Sequence, residues 1–288
     1  MTKSKYRFFI LCVVAIICAD LSYNSFPQST PDGLNLTFVD VGQGDCIFVK
    51  APNGKTMLVD AGESDEFHSR LRPFLISSNI DTIDVLVASH YHSDHIGAME
   101  NIFANFNVKT LIVPDYKPRS KAKVRLLKAA DSAGTEVIEV SEGDFLPEIS
   151  KGLSLSVLHP DKSCISDNEN DNSLVLLLKY FKTTALLTGD VEAPAEKTVA
   201  EKYDIESDIL KVAHHGSSTS TCKEFLSAAN PTYAVIQCGK DNGYGHPHHE
   251  TLSALDDDDV RVYRTDIDQN ITFYLSEKGI EKIKTTKF

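Results

Sequence analysis

The stretch LVASHYHSDHIGAM, residues 86–99, places three histidines and an aspartate within six positions directly after an apolar run. The apolar residues predict a short buried strand, and the residues from His95 onward have helical spacing. Imidazole nitrogens and carboxylate oxygens are ligands that zinc and similar divalent ions accept. This stretch therefore predicts a metal site in the turn between a strand and a helix.

Polar residues also follow other apolar runs. Asp60 follows MLV, Asp190 follows ALLTG, and His214 follows ILKVA. Because the ends of successive strands lie side by side along one edge of a sheet, we expect these residues to share one site with residues 90–95.

All but two of the ten histidines lie in three clusters, which scattered surface histidines would not do. The clusters are His90, His92 and His95; His214 and His215; and His246, His248 and His249. A two-metal site, with ions about 3.5–4 Å apart, accounts for them. In this prediction His90 and His92 bind one ion, Asp94 and His95 bind a second, Asp190 bridges the two, and His214 completes the second.

The hydrophobic pattern predicts an α/β (α+β) fold. LNLTFVDV (34–41) alternates like a half-exposed strand, and CIFVKAPNGKTMLVDAG (46–62) reads as a hairpin that turns at Asn53-Gly54. Strands and helices then alternate, and VRVYRTD…ITFYLS near the end resembles a final hairpin. We expect mixed sheets covered by helices, in one domain over residues 34–288.

The first residues have the pattern of a leader. Lys3, Lys5 and Arg7 precede the uncharged run FFILCVVAIICA (8–19), which is short for a membrane span. Residues 1–19 suit an export signal or a short retained anchor, and 20–33 suit a linker. We therefore expect an exported protein, either secreted or held at the outer face of the cytoplasmic membrane through residues 8–19. Four cysteines lie beyond this leader without a C-x-x-C pair, and their spacing indicates no particular disulfide.

The charge is acidic, at −12 with a pI of about 5.3. Such a surface gives no long-range attraction for nucleic acid. One segment differs: KPRSKAKVRLLK (117–128) carries six basic residues and no acidic one. It is either the solvated face of a helix or a local patch that guides phosphates.

Eight motifs, spread over most of the chain, carry a resemblance to a known family. They are FVDVGQGDCIFV, LVDAG, SHYHSDHIGAM, NDNSLVLLLKY, LLTGDVE, DILKVAHHGSSTS, GYGHPHHETLSAL and VYRTDIDQNITF, in this order. Together they resemble the metallo-β-lactamase superfamily, and more narrowly the metallo-β-lactamase domain of the ComEC/Rec2 competence proteins and their free-standing relatives. The resemblance covers about residues 34–277 and implies a four-layer αβ/βα sandwich with a dinuclear site between two mixed sheets.

The resemblance implies the same metal ligands and adds supporting residues. Asp60 would support the metal loop rather than bind metal, and His215 would stand behind its neighbour His214, although the sequence does not decide which of the two faces the metal. The usual third histidine of the first metal is replaced in ENDNSLVL by Asn170 or Asn172. An amide oxygen is a weak ligand for zinc, so the two expected divalent ions are Zn²⁺ or Mn²⁺.

The expected activity is hydrolysis of a phosphodiester by a hydroxide held between the two ions. Asp94 is then essential, and GYGHPHH brings His246 or His248 to the leaving oxygen as general acid or phosphate ligand. The competence proteins point to DNA as the substrate. Two alternatives stay open: hydrolysis of a small ester, thioester, lactone or β-lactam, and a non-catalytic metal-binding or partner-binding module of a DNA-uptake system.

Overall fold

The structure is a computed structural model that describes residues 33–116 and 120–286. The predicted leader (1–19) and all of the predicted linker (20–33) except Gly33 lie outside the described residues. Among the described residues, no helix has the length and apolar character needed to cross a membrane. The four cysteines beyond the leader are all described, and each carries a free thiol.

The first sheet has eight strands and is antiparallel at one side and parallel at the other. Its strands are β1 (Leu34–Phe38), β2 (Ile47–Lys50), β3 (Thr56–Val59), β4 (Thr82–Val87), β5 (Asn107–Pro114), β6 (Glu136–Val140), β13 (Ile271–Ser276) and β14 (Gly279–Thr285). They lie in the order β14-β13-β1-β2-β3-β4-β5-β6. The pairs from β3 to β6 are parallel. The other pairs are antiparallel, including the hairpin predicted at Asn53-Gly54.

The second sheet has six strands. They are β7 (Leu153–His159), β8 (Val175–Tyr180), β9 (Thr183–Leu187), β10 (Ile209–Lys211), β11 (Tyr233–Ile236) and β12 (Arg261–Arg264). They lie in the order β12-β11-β10-β9-β8-β7. The pairs from β9 to β12 are parallel, and β7, β8 and β9 pair antiparallel.

Eight α-helices are described, and the buried apolar residues of the first seven join the two clusters on the outer faces of the sheets. They are α1 (Arg72–Ser77), α2 (Ser93–Ile96), α3 (Met99–Asn105), α4 (Lys121–Ala133), α5 (Ala193–Lys202), α6 (Lys223–Ala229), α7 (His249–Asp257) and α8 (Thr265–Asp268). A π-helical turn (Phe67–Leu71) precedes α1, and 3₁₀ turns occupy Asn170–Asn172 and Ala213–Gly216.

Alternation along each strand builds three apolar layers. In β4, Val85 and Val87 join the cluster between the two sheets, whereas Leu86 faces the helices of the first sheet. In β9, Leu187 enters the layer between the sheets and Leu186 packs under the helices of the second sheet. The helix–sheet–sheet–helix arrangement confirms the four-layer αβ/βα sandwich.

The predicted final hairpin is wrong. Residues 261–264 form β12 at the edge of the second sheet, whereas residues 271–276 form β13 of the first sheet. The short helix α8 and Gln269, with φ of 58°, redirect the chain between them. The actual hairpin joins β13 to β14, and β14 was not predicted.

Candidate metal centre

The carboxyl ends of the parallel strands bring the predicted polar residues to one edge of the sandwich. Asp60 follows β3, His90 follows β4, Asp190 follows β9, and the His214–His215 pair follows β10. The short helix α2 then carries Asp94 and His95 back towards these strand ends. The edge predicted from the sequence is therefore where these side chains lie.

Four of these residues converge. One ligand atom from each of Asp94, His95, Asp190 and His215 lies within 4.8 Å of the others. Nε2 of His95 is 3.1 Å from Oδ2 of Asp190, and Nε2 of His215 is 3.3 Å from the same oxygen. Asp190 thus stands between two imidazoles, as a bridging carboxylate would.

In both His95 and His215, the Nδ1 atom donates a hydrogen bond to a protein oxygen. Nδ1 of His95 is 2.8 Å from Oδ2 of Asp60, and Nδ1 of His215 is 2.9 Å from the carbonyl oxygen of Gln237. Each Nε2 therefore points at carboxylate oxygens that are acceptors only. A cation has to lie between them: either a proton on each imidazole or a metal ion shared by the group.

The electrostatics of the cluster agree with this requirement. Burial disfavours the charged form of both imidazoles, but the carboxylate of Asp190 outweighs it and raises the pKa of His95 and of His215 well above the ordinary value. Buried atoms without a hydrogen bond among the described residues include Nε2 of His90, Nε2 of His95 and Oδ1 of Asp190. Such a donor set fits a divalent metal ion.

The pair of histidines after β10 is arranged in the opposite way to that expected. His215 belongs to the converging group and is buried, whereas His214 lies outside that group, with Nδ1 3.3 Å from Oγ1 of Thr219 and 3.4 Å from Oε1 of Glu192. Both residues have a left-handed backbone, with φ of 49° and 54°. This backbone turns the second imidazole, not the first, towards Asp190.

His90 lies beside His95 of the converging group, and His92 lies beside His90. The His90 ring is 4.1 Å from the His95 ring and 4.7 Å from the His92 ring, centroid to centroid. Burial, followed by the charge of His95, lowers the pKa of His90 well below its ordinary value, so its imidazole is neutral and able to bind metal. Within residues 33–116 and 120–286, no carboxylate is hydrogen-bonded to Nδ1 of His90, which lies 3.1 Å from Oγ of Ser89.

The structure distinguishes the two asparagines proposed in place of a third histidine. Asn172 is fully engaged: its Oδ1 accepts from the backbone of Ser166, and its Nδ2 donates to carbonyl oxygens of Ser166 and Asn168. Asn170 donates to Glu192 over 3.3 Å, but its buried Oδ1 has no hydrogen-bond partner among the described residues. Asn170 is therefore the asparagine with a free ligand atom.

Asp60 lies where a supporting carboxylate is needed. Its Oδ1 accepts from the backbone N–H of Ser89 over 2.8 Å, and its Oδ2 accepts from Oγ of Ser89 over 2.6 Å and contacts Nδ1 of His95. One carboxylate thus holds both the start of the metal-binding loop and the orientation of His95.

Two buried charged residues of the site were not predicted. Lys211, fully buried in β10, contacts Asp45, donates to the carbonyl of Gly189 over 2.9 Å, and has Nζ 3.7 Å from Oδ1 of Asp190. Oδ1 of Asp45 is 3.3 Å from Nδ1 of His215. Burial would lower the pKa of Lys211, but Asp45 and Asp190 outweigh it and raise that pKa. A lysine within the apolar run DILKVA was the sequence signal for this pair.

The loop that carries Asp45 packs directly under the turn of Asp94. Asp45 N donates to the carbonyl of Asp94 over 3.1 Å. At Gly44, with φ of 122°, an added Cβ would lie 2.0 Å from the same carbonyl oxygen. The approach needs glycine at this position, and it positions Asp45 below the site.

The three histidines of the segment GYGHPHH have different surroundings in the structure. Nδ1 of His248 accepts from the backbone N–H of Ser218 over 2.9 Å, and its Nε2 donates to the carbonyl of Tyr244 over 3.2 Å. Both nitrogens of His248 are used to join two loops, which does not favour a role at a leaving oxygen. His249 begins α7 at an exposed position.

His246 is the histidine of this loop that faces the site. Its ring centroid lies 5.6 Å from that of His214 and 6.1 Å from that of His215, and its Nδ1 is buried without a partner among the described residues. Burial and the neighbouring histidines lower the pKa of His246 to about 4. At neutral pH this imidazole is uncharged, so it suits a hydrogen bond to a substrate better than the general-acid role.

Part of the basic segment is already engaged within the protein. Nζ of Lys123 is buried, donates to the carbonyl of Tyr116 over 2.5 Å and lies 4.9 Å from the centre of the Tyr91 ring. Arg125 pairs with Glu100 over 3.0 Å. Lys121 and Lys128 are exposed, and residues 117–119 lie outside the described residues. Lys123 therefore fits neither the solvated-face nor the phosphate-guiding interpretation.

Two curated proteins with competence-related names are similar to most of this chain. ComE operon protein 3 of Bacillus subtilis is 33% identical over 282 residues, covering 91% of this chain and 36% of that protein. Competence protein ComA of Neisseria gonorrhoeae is 25% identical over 281 residues, covering 96% of this chain and 37% of that protein. The chain thus spans about a third of the length of these curated relatives.

A solved structure shares the fold. The metallo-beta-lactamase fold protein YhfI from Bacillus subtilis superposes with a TM-score of 0.54 at 14% identity, covering 81% of this chain and 97% of that chain. The model of the metallo-beta-lactamase superfamily matches residues 39–240, which include all four converging ligands. The chain belongs to the metallo-beta-lactamase superfamily.

Proposed function

We propose that the chain is a metal-dependent phosphodiesterase that acts on DNA. The observation that carries the proposal is the convergence of Asp94, His95, Asp190 and His215 within 4.8 Å, with Nε2 of both imidazoles next to an oxygen of Asp190. His90 and His92 stand beside this group and supply two further imidazoles. The arrangement offers ligands for two ions rather than one.

Divalent ions bound by these residues would lower the pKa of a water molecule towards about 7 and supply a nucleophile at neutral pH. The chain's own residues orient the site. Asp60 and the carbonyl of Gln237 fix the rings of His95 and His215, and Lys211 stands beside Asp190. Neutral His246, on the opposite loop, is placed to donate a hydrogen bond to a substrate oxygen.

The choice of a phosphodiester rests on the relatives and on Asn170. The chain is similar over most of its length to a protein named as a competence protein, and the motifs it shares with competence proteins imply a DNA substrate. By the resemblance, Asn170 stands where a third imidazole is usual for the first ion, and an amide oxygen there would weaken zinc binding and favour manganese. We therefore expect the highest activity with Mn²⁺.

The test is cleavage by the purified full chain, stripped of metal and supplied with Mn²⁺ or Zn²⁺. The substrates are single-stranded DNA, double-stranded DNA and bis-p-nitrophenyl phosphate. Asp94→Ala should reduce cleavage to background, because it removes one of the four proposed metal ligands. Asp65→Ala, an exposed aspartate outside the site, is the matched control and should keep full activity.

Two results would contradict the proposal. Turnover of a lactone or β-lactam without any phosphodiester cleavage would assign the metals to another substrate class. Metal binding without turnover of any of these substrates would indicate a binding module. Export is a further part of the proposal: residues 1–19 would direct the chain across the cytoplasmic membrane, and cell fractionation with and without these residues tests it.

A further inference from the structure

Tyr244 presents an exposed aromatic ring next to the metal-binding histidines. Its side chain is 69% exposed. Its ring lies 5.6 Å from the His246 ring, centroid to centroid, with an angle of 19° between the planes. The His246 ring in turn neighbours the rings of His214 and His215. The Tyr244 ring is therefore separated from these two histidines by a single side chain, that of His246.

The backbone that carries Tyr244 is held firmly. Oδ1 of Asn242 accepts from the backbone N–H groups of Tyr244 and His246, over 3.1 Å and 3.0 Å. Nδ2 of Asn242 donates to the carbonyl of His246 over 2.6 Å, and His248 donates to the carbonyl of Tyr244. The ring is thus exposed on an ordered loop, although its hydroxyl makes no hydrogen bond among the described residues.

Packing does not explain this residue. An exposed aromatic side chain buries little apolar area, so it contributes little to the stability of the fold. What the position does offer is a rigid π-face beside the place where a phosphodiester would be cut. Such faces bind nucleobases of any sequence with useful affinity.

We propose that Tyr244 is a nucleobase-stacking subsite, which holds a base next to the scissile phosphate; the inference rests on the proposed phosphodiesterase function. Stacking needs no positive charge, which suits a chain with a net charge of −12. The subsite would select single-stranded DNA or unpaired ends, because bases within a duplex have no free face.

The chain contains no tryptophan, so Tyr244→Trp creates a protein with a single tryptophan at the subsite, whose fluorescence can be excited apart from that of the tyrosines. In the Asp94→Ala background, which is expected not to cleave, this variant is titrated in Mn²⁺ with a single-stranded oligonucleotide and with an abasic oligonucleotide of equal length. Stacking predicts quenching by the first oligonucleotide, with a dissociation constant roughly 5- to 150-fold lower than that for the second.

Phe145→Trp in the same background is the matched control. Phe145 is 71% exposed, and the cavity beside it is lined by residues such as Leu153, Lys179 and Phe181 and by none of the site. Its fluorescence should not distinguish the two oligonucleotides. Equal responses of the Tyr244→Trp variant to both oligonucleotides, or no response to either, would overturn the proposal.

Kinetics give a second measurement in the otherwise unaltered chain. Tyr244→Ala should raise KM for the single-stranded oligonucleotide and remove most of the preference over the abasic one, whereas Tyr244→Phe should keep the preference. Retention of the preference by Tyr244→Ala would contradict the stacking role. Failure of the whole chain to cleave any phosphodiester would contradict the proposed function instead, and the fluorescence titration would still report on stacking.

Discussion

The two halves of the metal centre differ in what stands behind their ligands. In the half formed by His95 and His215, each ring donates to a fixed oxygen, and Asp45, Asp60 and Lys211 lie behind the ligands. In the half formed by His90 and His92, the group behind His90 is the hydroxyl of Ser89, and Asn170, which the resemblance implies as the third ligand here, has a buried Oδ1 without a hydrogen-bond partner among the described residues.

For two ions bound as proposed, this difference predicts unequal affinities. A carboxylate that accepts from a metal-binding imidazole increases its basicity and fixes its orientation. A hydroxyl does less, and an amide oxygen is a weaker ligand than an imidazole for zinc. The carboxylate-backed half should therefore fill first and hold its ion when the other half is empty.

The largest effect is expected from Asp60→Asn, which removes the backing of the tight half. The amide cannot accept from Nδ1 of His95 with the same strength, so the affinity for the tightly bound ion should fall roughly 10- to 100-fold. Titration against a competing chelator measures this loss. Asp65→Asn, on the exposed surface nearby, should leave the affinity unchanged. An unaltered affinity in Asp60→Asn would remove the basis for the comparison.

The second prediction separates the two asparagines of the weak half. Asn172→Ala leaves the backbone of Ser166 and two carbonyls without their partner, and should lower the free energy of unfolding by about 1–3 kcal/mol in thermal or urea unfolding. Asn170→His should instead increase zinc affinity of the weak half by roughly tenfold or more, equivalent to about 1.4 kcal/mol. If Asn172→Ala changed metal affinity and Asn170→His did not, Asn172 and not Asn170 would be the ligand.

The third prediction concerns pH and the loop that follows His215. Buried Glu196 accepts from the backbone N–H groups of Thr221 and Cys222, over 2.6 Å and 2.8 Å, and burial raises its pKa to about 7 from 4.5. Because the folded pKa is the higher one, the contribution of Glu196 to stability is complete below about pH 4.5 and is lost as pH rises towards 7.

Glu196→Gln does not titrate, so it reports this loss. The difference in unfolding free energy between the unaltered chain and Glu196→Gln should shrink between pH 4.5 and 7, by at most about 1.4 kcal/mol per pH unit. Urea unfolding of the metal-free protein at several pH values measures it. The exposed Glu201→Gln on the same helix is the control. A difference that grows with pH would show instead that the pKa of Glu196 is lower in the folded state than in the unfolded state.

The sequence predicted the fold and the location of the site because both depend on local patterns. Alternation in β4 and β9 separates residues of the inter-sheet layer from those under the helices, and residues that end parallel strands must share an edge. The last strands were misassigned because a hairpin and a crossover between sheets have similar short-range patterns. The pairings of β12 with β11 and of β13 with β1, which join distant segments, distinguish them.

The details of the site depend on contacts that no local pattern contains. Adjacent histidines at 214 and 215 differ only in where a left-handed backbone directs them. The pairing of Asp45 with Lys211 joins two distant segments, and each residue alone is one charge in an apolar run. Asn170 and Asn172 differ in their hydrogen bonds to residues 166–168, which the loop conformation determines.

The pairing of β1 with β13 also makes a segment beyond the superfamily match part of the core. The superfamily match ends at residue 240, but Ile271, Phe273 and Leu275 fill the layer between the sheets, and β13 covers the edge of β1. A fragment cut at 240 would retain the four converging ligands yet expose an apolar strand edge, which is a template for aggregation. The core of the fold therefore extends beyond the end of the superfamily match and includes the hairpin of β13 and β14.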